Sequence, residues 1–325
     1  METIISRRSV HGFYFPLLLC CLFYSFMALM IGGIFISQYN STAFEARNYG
    51  LVPLFILVVT ATIYTIHRFL KSSPHIELDS QSITFNGSAV YFWKDLEKME
   101  LSGKRPFLLG TEKEGVKLKF EVEKERIFLD SMYANTPEIK KFIQCVVIDK
   151  VNYVGPEITE PTVEEATNEQ FVVYKGSQFV NFYGILLWLI MSGLLYVSIL
   201  NIEHWRLVIF FILIFSVLVS RLVWFLHYIE LSEHYIQIRN HNLFWTRKLY
   251  RLSDIQEVVF EQPTKMPVCM RIITKDFESK TYPAATLWGK TWRQLKRDVE
   301  AKSIKVRNEC VSEDDEPIRF KFFND

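Results

Sequence analysis

The sequence has almost no net charge, few cysteines and no recognisable reaction motif. Its formal net charge is +1 over 325 residues, so bulk charge gives no pull toward nucleic acid. The five cysteines are Cys20, Cys21, Cys145, Cys269 and Cys310, and none forms a CxxC pair or stands at metal-ligand spacing to a histidine. An odd, scattered set argues against a disulfide framework and predicts reduced, cytosolic soluble parts. The sequence contains no Gly-x-Ser-x-Gly, no P-loop, no His-Glu-x-x-His and no dinucleotide fingerprint. Gly87, Gly103, Gly110 and Gly115 sit singly in turn-like contexts. Seven histidines are dispersed, with His11, His67 and His227 at the ends of apolar runs, where polar rings rest at headgroup level. No catalytic residue, cofactor site or metal ligand is assigned, and the expectation is a protein that is not an enzyme.

What the sequence has is apolar length. A bilayer core of about 30 Å needs about 20 helical residues. Four segments supply it, at 13–37, 51–70, 179–200 and 206–228. The first, second and third are free of charge up to the His67-Arg68 boundary, and from Leu207 to Tyr228 the fourth carries Arg221 alone. A charge inside a span is a candidate functional residue. Arg221 stands near one end of its span, where its side chain can also snorkel to the interface. The first segment is too long for a cleaved signal and no small-residue cleavage site follows it, so it is expected to stay as a membrane helix. Arg7 and Arg8 precede it, Arg68 and Lys71 follow the second span, and Lys175 precedes the third, whereas Arg47 beside Glu45 is the only cation between the first two. The positive-inside rule then places the N-terminus, both soluble stretches and the C-terminus in the cytoplasm.

The pattern occurs twice, with a period of roughly 155 residues. Ile76-Glu77-Leu78 with Ile83 aligns with Ile229-Glu230-Leu231 with Ile236, and each reads as strand, tight turn, strand. Asp95-Leu96 aligns with Asp254-Ile255, and a longer hairpin near Asn240 to Trp245 takes up the drift in spacing. Further strands are expected at 107–109, 116–122 and 126–129 in the first half and at 268–274 and 278–282 in the second. Each half closes with a helix. One runs from Pro137 to about Ile148, with Thr136 placed to cap it. The other runs from about Leu287 to Lys302, with Trp288, Trp292, Leu295 and Val299 on one face. The layout is a first membrane hairpin (1–71), a soluble domain (72–151), an acidic linker (152–177), a second hairpin (178–228), a second soluble domain (229–307) and a tail (308–325). The linker holds five glutamates between 157 and 169 with no Lys or Arg, and reads as solvated. The tail turns from acidic to aromatic and basic at Ile318-Arg319-Phe320-Lys321-Phe322-Phe323.

Those strand pairs, the polar-Asp-aliphatic step and the final helix, set directly after two spans, resemble the bacterial pleckstrin-homology-like (PH-like) domain family in its membrane-anchored form. The resemblance implies a membrane α+β fold of two repeats. Each would be a two-helix transmembrane hairpin followed by a small antiparallel β-sandwich or barrel closed by a C-terminal helix. It also implies a multi-pass protein of the bacterial inner membrane whose domains bind a protein, a peptide or the membrane surface. The alternative is an immunity or defence protein that neutralises a toxin at that membrane. The candidate face for membrane or partner is basic: Lys290, Arg293, Lys296, Arg297, Lys302, Lys305 and Arg307. The expected partners are the lipid bilayer and a protein or peptide, with no nucleic acid. A homo-oligomer is open through Gly32-Gly33 and Ser192-Gly193, which permit close helix approach.

Overall fold

The computed structural model describes residues 3–39, 51–108, 111–121, 124–153, 155, 157–200, 203, 205–243, 245–263 and 266–311. The chain divides into two compact units, Met1–Pro156 and Glu157–Asp325. It is an α+β protein with apolar helices and several antiparallel sheets. The expected loop cation Arg47, and the tail sequence from residue 312 onward, lie outside the described residues.

In the first unit, strand β1 (Ile4–Ile5) leads through a π-helical turn at Val10–Tyr14 into α1 (Phe15–Tyr39), and α2 (Leu51–Ser72) packs on α1. A sheet follows at once from β2 (Ile76–Leu78), β3 (Ser82–Phe85) and β4 (Ala89–Phe92), in the order β1-β2-β3-β4. The β3–β4 turn is Asn86-Gly87, with φ of 53° and 66°. Two left-handed residues in a row make the tight turn that matches strand twist, and Asn-Gly is the pair that tolerates it. Strands β5 (Leu96–Glu100), β6 (Lys104–Pro106), β7 (Glu112–Phe120) and β8 (Lys124–Leu129) form a second antiparallel sheet. Helix α3 (Thr136–Ile143) runs on into a π-helical segment, Gln144–Asp149. The core lies between the sheets: Ile76, Leu78, Ile83 and Phe85 meet Val116, Leu118, Phe120 and Phe128, and Ile139, Phe142 and Ile143 of α3 close it.

The second unit begins with segment 157–171, then β9 (Val172–Tyr174), α4 (Phe182–Leu200) and α5 (Trp205–Trp224). Strands β10 (His227–Leu231), β11 (Tyr235–Asn240) and β12 (Arg247–Arg251) form a sheet of order β12-β11-β10-β9. Strands β13 (Ile255–Glu261), β14 (Cys269–Thr274) and β15 (Ser279–Pro283) form the other. Its last member, β16 (Lys305–Asn308), pairs parallel to β13 after helix α6 (Gly289–Ala301). Trp292, Leu295 and Val299 of α6 plug the core, and the Trp292 ring meets Phe260 edge-on at 5.7 Å.

Among the described residues, three helices are long and apolar enough to cross a membrane: Val10–Ser37, Leu51–Ser72 and Phe182–Leu200. They leave large side chains such as Leu22, Phe26, Leu29, Leu189 and Ile199 exposed, which suits lipid and not water. The fourth apolar segment forms α5, which stops at Trp224 and not at residue 228. His227 and Tyr228 belong to β10 instead, because their backbone pairs with Asn240 and Arg239. The strand expected at 107–109 forms at 104–106, opposite 112–114. Thr136 does not cap α3, since its hydroxyl donates to the Asp130 carbonyl at 2.7 Å. Trp288 leaves the apolar stripe of α6. It is the extended N-cap residue, outside the helical period, and its ring is exposed while Leu287 is buried.

Candidate membrane-proximal surface

Each pair of apolar helices is fastened to its own β-structure by short segments of backbone. In the first unit the β1 strand pairs antiparallel with β2, so the segment before α1 and the segment after α2 are neighbours. Asn135, just ahead of α3, accepts from the Arg7 amide at 2.8 Å and donates to the Ile5 carbonyl at 2.9 Å. The Ser9 amide donates to the Met132 carbonyl at 2.8 Å, and Tyr133 donates its hydroxyl to the Pro74 carbonyl at 2.6 Å.

The second unit has a seam of the same kind. The β9 strand pairs with β10, and Tyr174 donates its hydroxyl to Asp298 of α6. Asn181 donates to the Ala285 carbonyl, and the Ala285 amide donates to Phe225 at 2.9 Å. The His241 amide donates to Leu226 at 3.0 Å, and the Asn240 side chain donates to Val223 at 2.7 Å. The start of α6 and the base of the β11–β12 hairpin therefore both lie against the chain leaving α5. Two indoles project there: Trp245 is 67% exposed and Trp288 is 59% exposed. At about 3.5 Å per residue neither can stand far from the end of α5.

The seven basic candidates divide by environment. Lys290, Arg293 and Arg297 follow an i, i+3, i+7 spacing on α6, on the side opposite the buried stripe of Trp292, Leu295 and Val299. Lys290, Arg297 and Lys302 are exposed. Lys305 is exposed too, and Arg293 is half-buried; carboxylates lie beside Lys296 (Glu300 at 3.7 Å), Lys305 (the buried Glu257 at 3.2 Å) and Arg307 (Glu309 at 3.2 Å). Arg221 lies in the last turn of α5 and is exposed. Gly32, Gly33 and Gly193 have open space where a Cβ would be.

Two imidazoles line the second seam. His227 Nδ1 lies 3.1 Å from the Pro283 carbonyl, and His241 Nε2 lies 3.2 Å from the Thr286 hydroxyl. Burial pushes both below the ordinary histidine range, His241 to about 4 with help from the charges of Lys175 and His227. Both rings are thus neutral at pH 7. Among the described residues, no group of three or more His, Cys, Asp or Glu is placed to hold a metal ion. Burial raises the Cys269 thiol well above its usual range, so it is a protonated, inert core group.

Residues 157–165 are mostly exposed, and they are held by Asp276, Lys248 and Arg251 of the same unit. These contacts span more than eighty residues of sequence, so local charge patterning does not reveal them. The exposed indoles carried a fainter signal, since Trp beside Lys or Arg near a span end marks an interface. No protein-family model matches the chain, and no curated protein is similar to it.

Proposed function

We propose that this chain is a non-enzymatic, four-span protein of the bacterial inner membrane that presents two PH-like binding domains to the cytoplasm. Its two units are read as copies of one plan, with a strand, a membrane hairpin, two sheets and a closing helix. The β1–β2 and β9–β10 pairings support that reading. A strand ahead of each hairpin lies beside the strand behind it, so the chain would enter and leave the bilayer on one face. The N-terminus, both domains and the C-terminus then share the cytoplasm, as the Lys and Arg distribution favours. Reporters fused after residue 150 and at the C-terminus test this topology, and a periplasmic signal from either would overturn it.

The observation that carries a binding role at the membrane surface is the exposure of Trp245 and Trp288 at the end of α5. Indoles partition to the headgroup region. Lys290, Arg293 and Arg297 stand on the helix that Trp288 leads into, and each cation close to an anionic surface contributes about 1 kcal/mol. The domain would therefore ride on the bilayer and hold its remaining strand edges and loops toward cytoplasmic partners. The test uses the full-length protein in nanodiscs, with Trp245 and Trp288 as the only tryptophans and the others replaced by Phe. Quenching by lipids brominated near the headgroup is expected for both indoles. Emission typical of water and indifferent to brominated lipid would refute the surface contact.

A further inference from the structure

Segment 157–165 crosses from one edge strand of its unit to another. β12 is the edge of one sheet and β15 is the edge of the other. Asp276, in the β14–β15 turn, accepts from the amides of Glu157 at 3.0 Å and Ile158 at 2.8 Å. The Glu160 carboxylate then sits between Lys248 of β12 at 2.8 Å and Lys280 of β15 at 3.7 Å. Arg251 of β12 donates to the Thr159 carbonyl at 3.1 Å and to Glu165 at 2.7 Å. Beside Glu160 the hydroxyls of Tyr250 and Tyr282 meet at 2.5 Å, one from each edge strand, and the Glu160 charge acts on both. The gap between the strands thus has a tyrosine floor and a cationic rim. Two further carboxylates share these cations: Asp254 is 3.6 Å from Arg251, and Glu278 is 3.6 Å from Lys280, as near as Glu160 is.

The segment is anchored at one end by the buried Asp276, but the ion pairs along the rest of it are weak. Glu160 is 72% exposed and Lys248 is 40% exposed, and an exposed ion pair contributes about 0–1 kcal/mol. The tether adds a high effective concentration to these contacts. A longer or better-placed acidic chain could take the same cations.

We propose that the gap between β12 and β15 is a recognition site for an acidic peptide of a partner protein, and that residues 157–165 occupy it in cis as a displaceable plug. The inference rests on reading the chain as a binding protein, and it names the partner class for the second unit. Each element of recognition is already satisfied by the plug: two backbone amides on Asp276, one carboxylate between two lysines, and one on Arg251. A ligand need only supply Glu-rich sequence that can turn as the plug does at Glu164–Ala166.

The test uses the full-length protein in nanodiscs of zwitterionic lipid and a labelled synthetic peptide spanning residues 156–167. Three proteins are compared: the unaltered chain, Glu160→Gln with Glu165→Gln, and Lys248→Gln with Arg251→Gln. Weakening two exposed pairs should free the site and raise peptide affinity about tenfold over the unaltered protein. The lysine and arginine replacements should abolish binding, as should a peptide with its glutamates changed to glutamine. Hydrogen exchange at the Glu157 and Ile158 amides should accelerate when the peptide binds. Equal affinity for the unaltered and plug-weakened proteins would overturn the proposal. So would binding that survives loss of Lys248 and Arg251, or binding to neither protein. Displacement of the plug by anionic lipid vesicles but not by the peptide would also overturn it. None of these failures touches the lipid contact of Trp245 and Trp288, which has its own readout.

Discussion

Gly12 faces the Ser131 carbonyl so closely that a Cβ on Gly12 would lie 1.5 Å from that oxygen. Gly176 meets Thr286 in the second unit in the same way, at 1.7 Å. Both glycines stand just ahead of an apolar helix, and both press against the turn leading to a closing helix. Backbone cannot yield as the tip of a side chain can. Gly12→Ala and Gly176→Ala should each therefore destabilise their unit by about 3 kcal/mol or more, by overpacking. Gly33→Ala is the control, because nothing lies within 4 Å of its Cβ position. Thermal unfolding in detergent should show a clear drop for the first two and almost none for the third.

Lys140 and Asp130 form an enclosed ion pair in the first unit. The ammonium is 2.5 Å from the carboxylate, and the Lys140 side chain is only 3% exposed. Removing one partner strands a buried charge, which costs about 3–5 kcal/mol. Lys140→Ala should lower stability by about that amount in denaturant unfolding. Lys248→Ala, which breaks an exposed pair, should change it by less than about 1 kcal/mol. Replacing both residues, as Lys140→Met with Asp130→Leu, should recover much of the loss. Equal effects for the single buried and single exposed changes would remove the distinction.

The apolar helices and the longer strands were legible because their signals are local. The 25 residues of α1 have no charge to interrupt them, and Asn86-Gly87 marks its turn by composition. The short strands β1 and β9 were not legible. Ile4–Ile5 and Val172–Tyr174 are too brief for alternation to register, and their pairing is decided by β2 and β10, which follow the intervening helices. The fate of Trp288 was hidden for a related reason. Its spacing fits the apolar stripe of α6, but an N-cap residue is not helical, so the 3.6-residue period does not govern its side chain. The plug was least visible of all, since Glu160 looks like any solvated glutamate until β12 and β15 bring two lysines to it.

Arg221 stands three residues before the end of α5. That is within one helical turn of the polar boundary, and its side chain is long enough to reach it. A structural role by snorkelling needs no partner inside the bilayer. Arg221→Leu should therefore leave membrane insertion, oligomeric state and unfolding temperature unchanged. Lost assembly on that replacement would assign the guanidinium a working role within the membrane.

Acid sensitivity should begin at the histidines of the second seam, before the carboxylates respond. A free imidazole titrates near 6.5, while burial and the neighbouring Lys175 and His227 hold His241 to about 4. Between those values the unfolded chain binds more protons than the folded one, so stability falls as pH drops through that window. Above it both states are neutral and the dependence vanishes. His227, lowered by burial, acts in the same direction. The carboxylates act later. Lys248 holds Glu160 below its usual range, and Lys98 and Arg105 hold Glu100 to about 2, so their contribution is full above about 4.5. It is lost only as pH falls further through those depressed values. Unfolding temperature should be flat from pH 8 to about 7, then decline through the histidine window. His241→Gln should flatten the decline above about pH 5 while leaving the more acidic loss intact. A His241→Gln profile that superimposes on the unaltered protein would show that the seam does not sense protons.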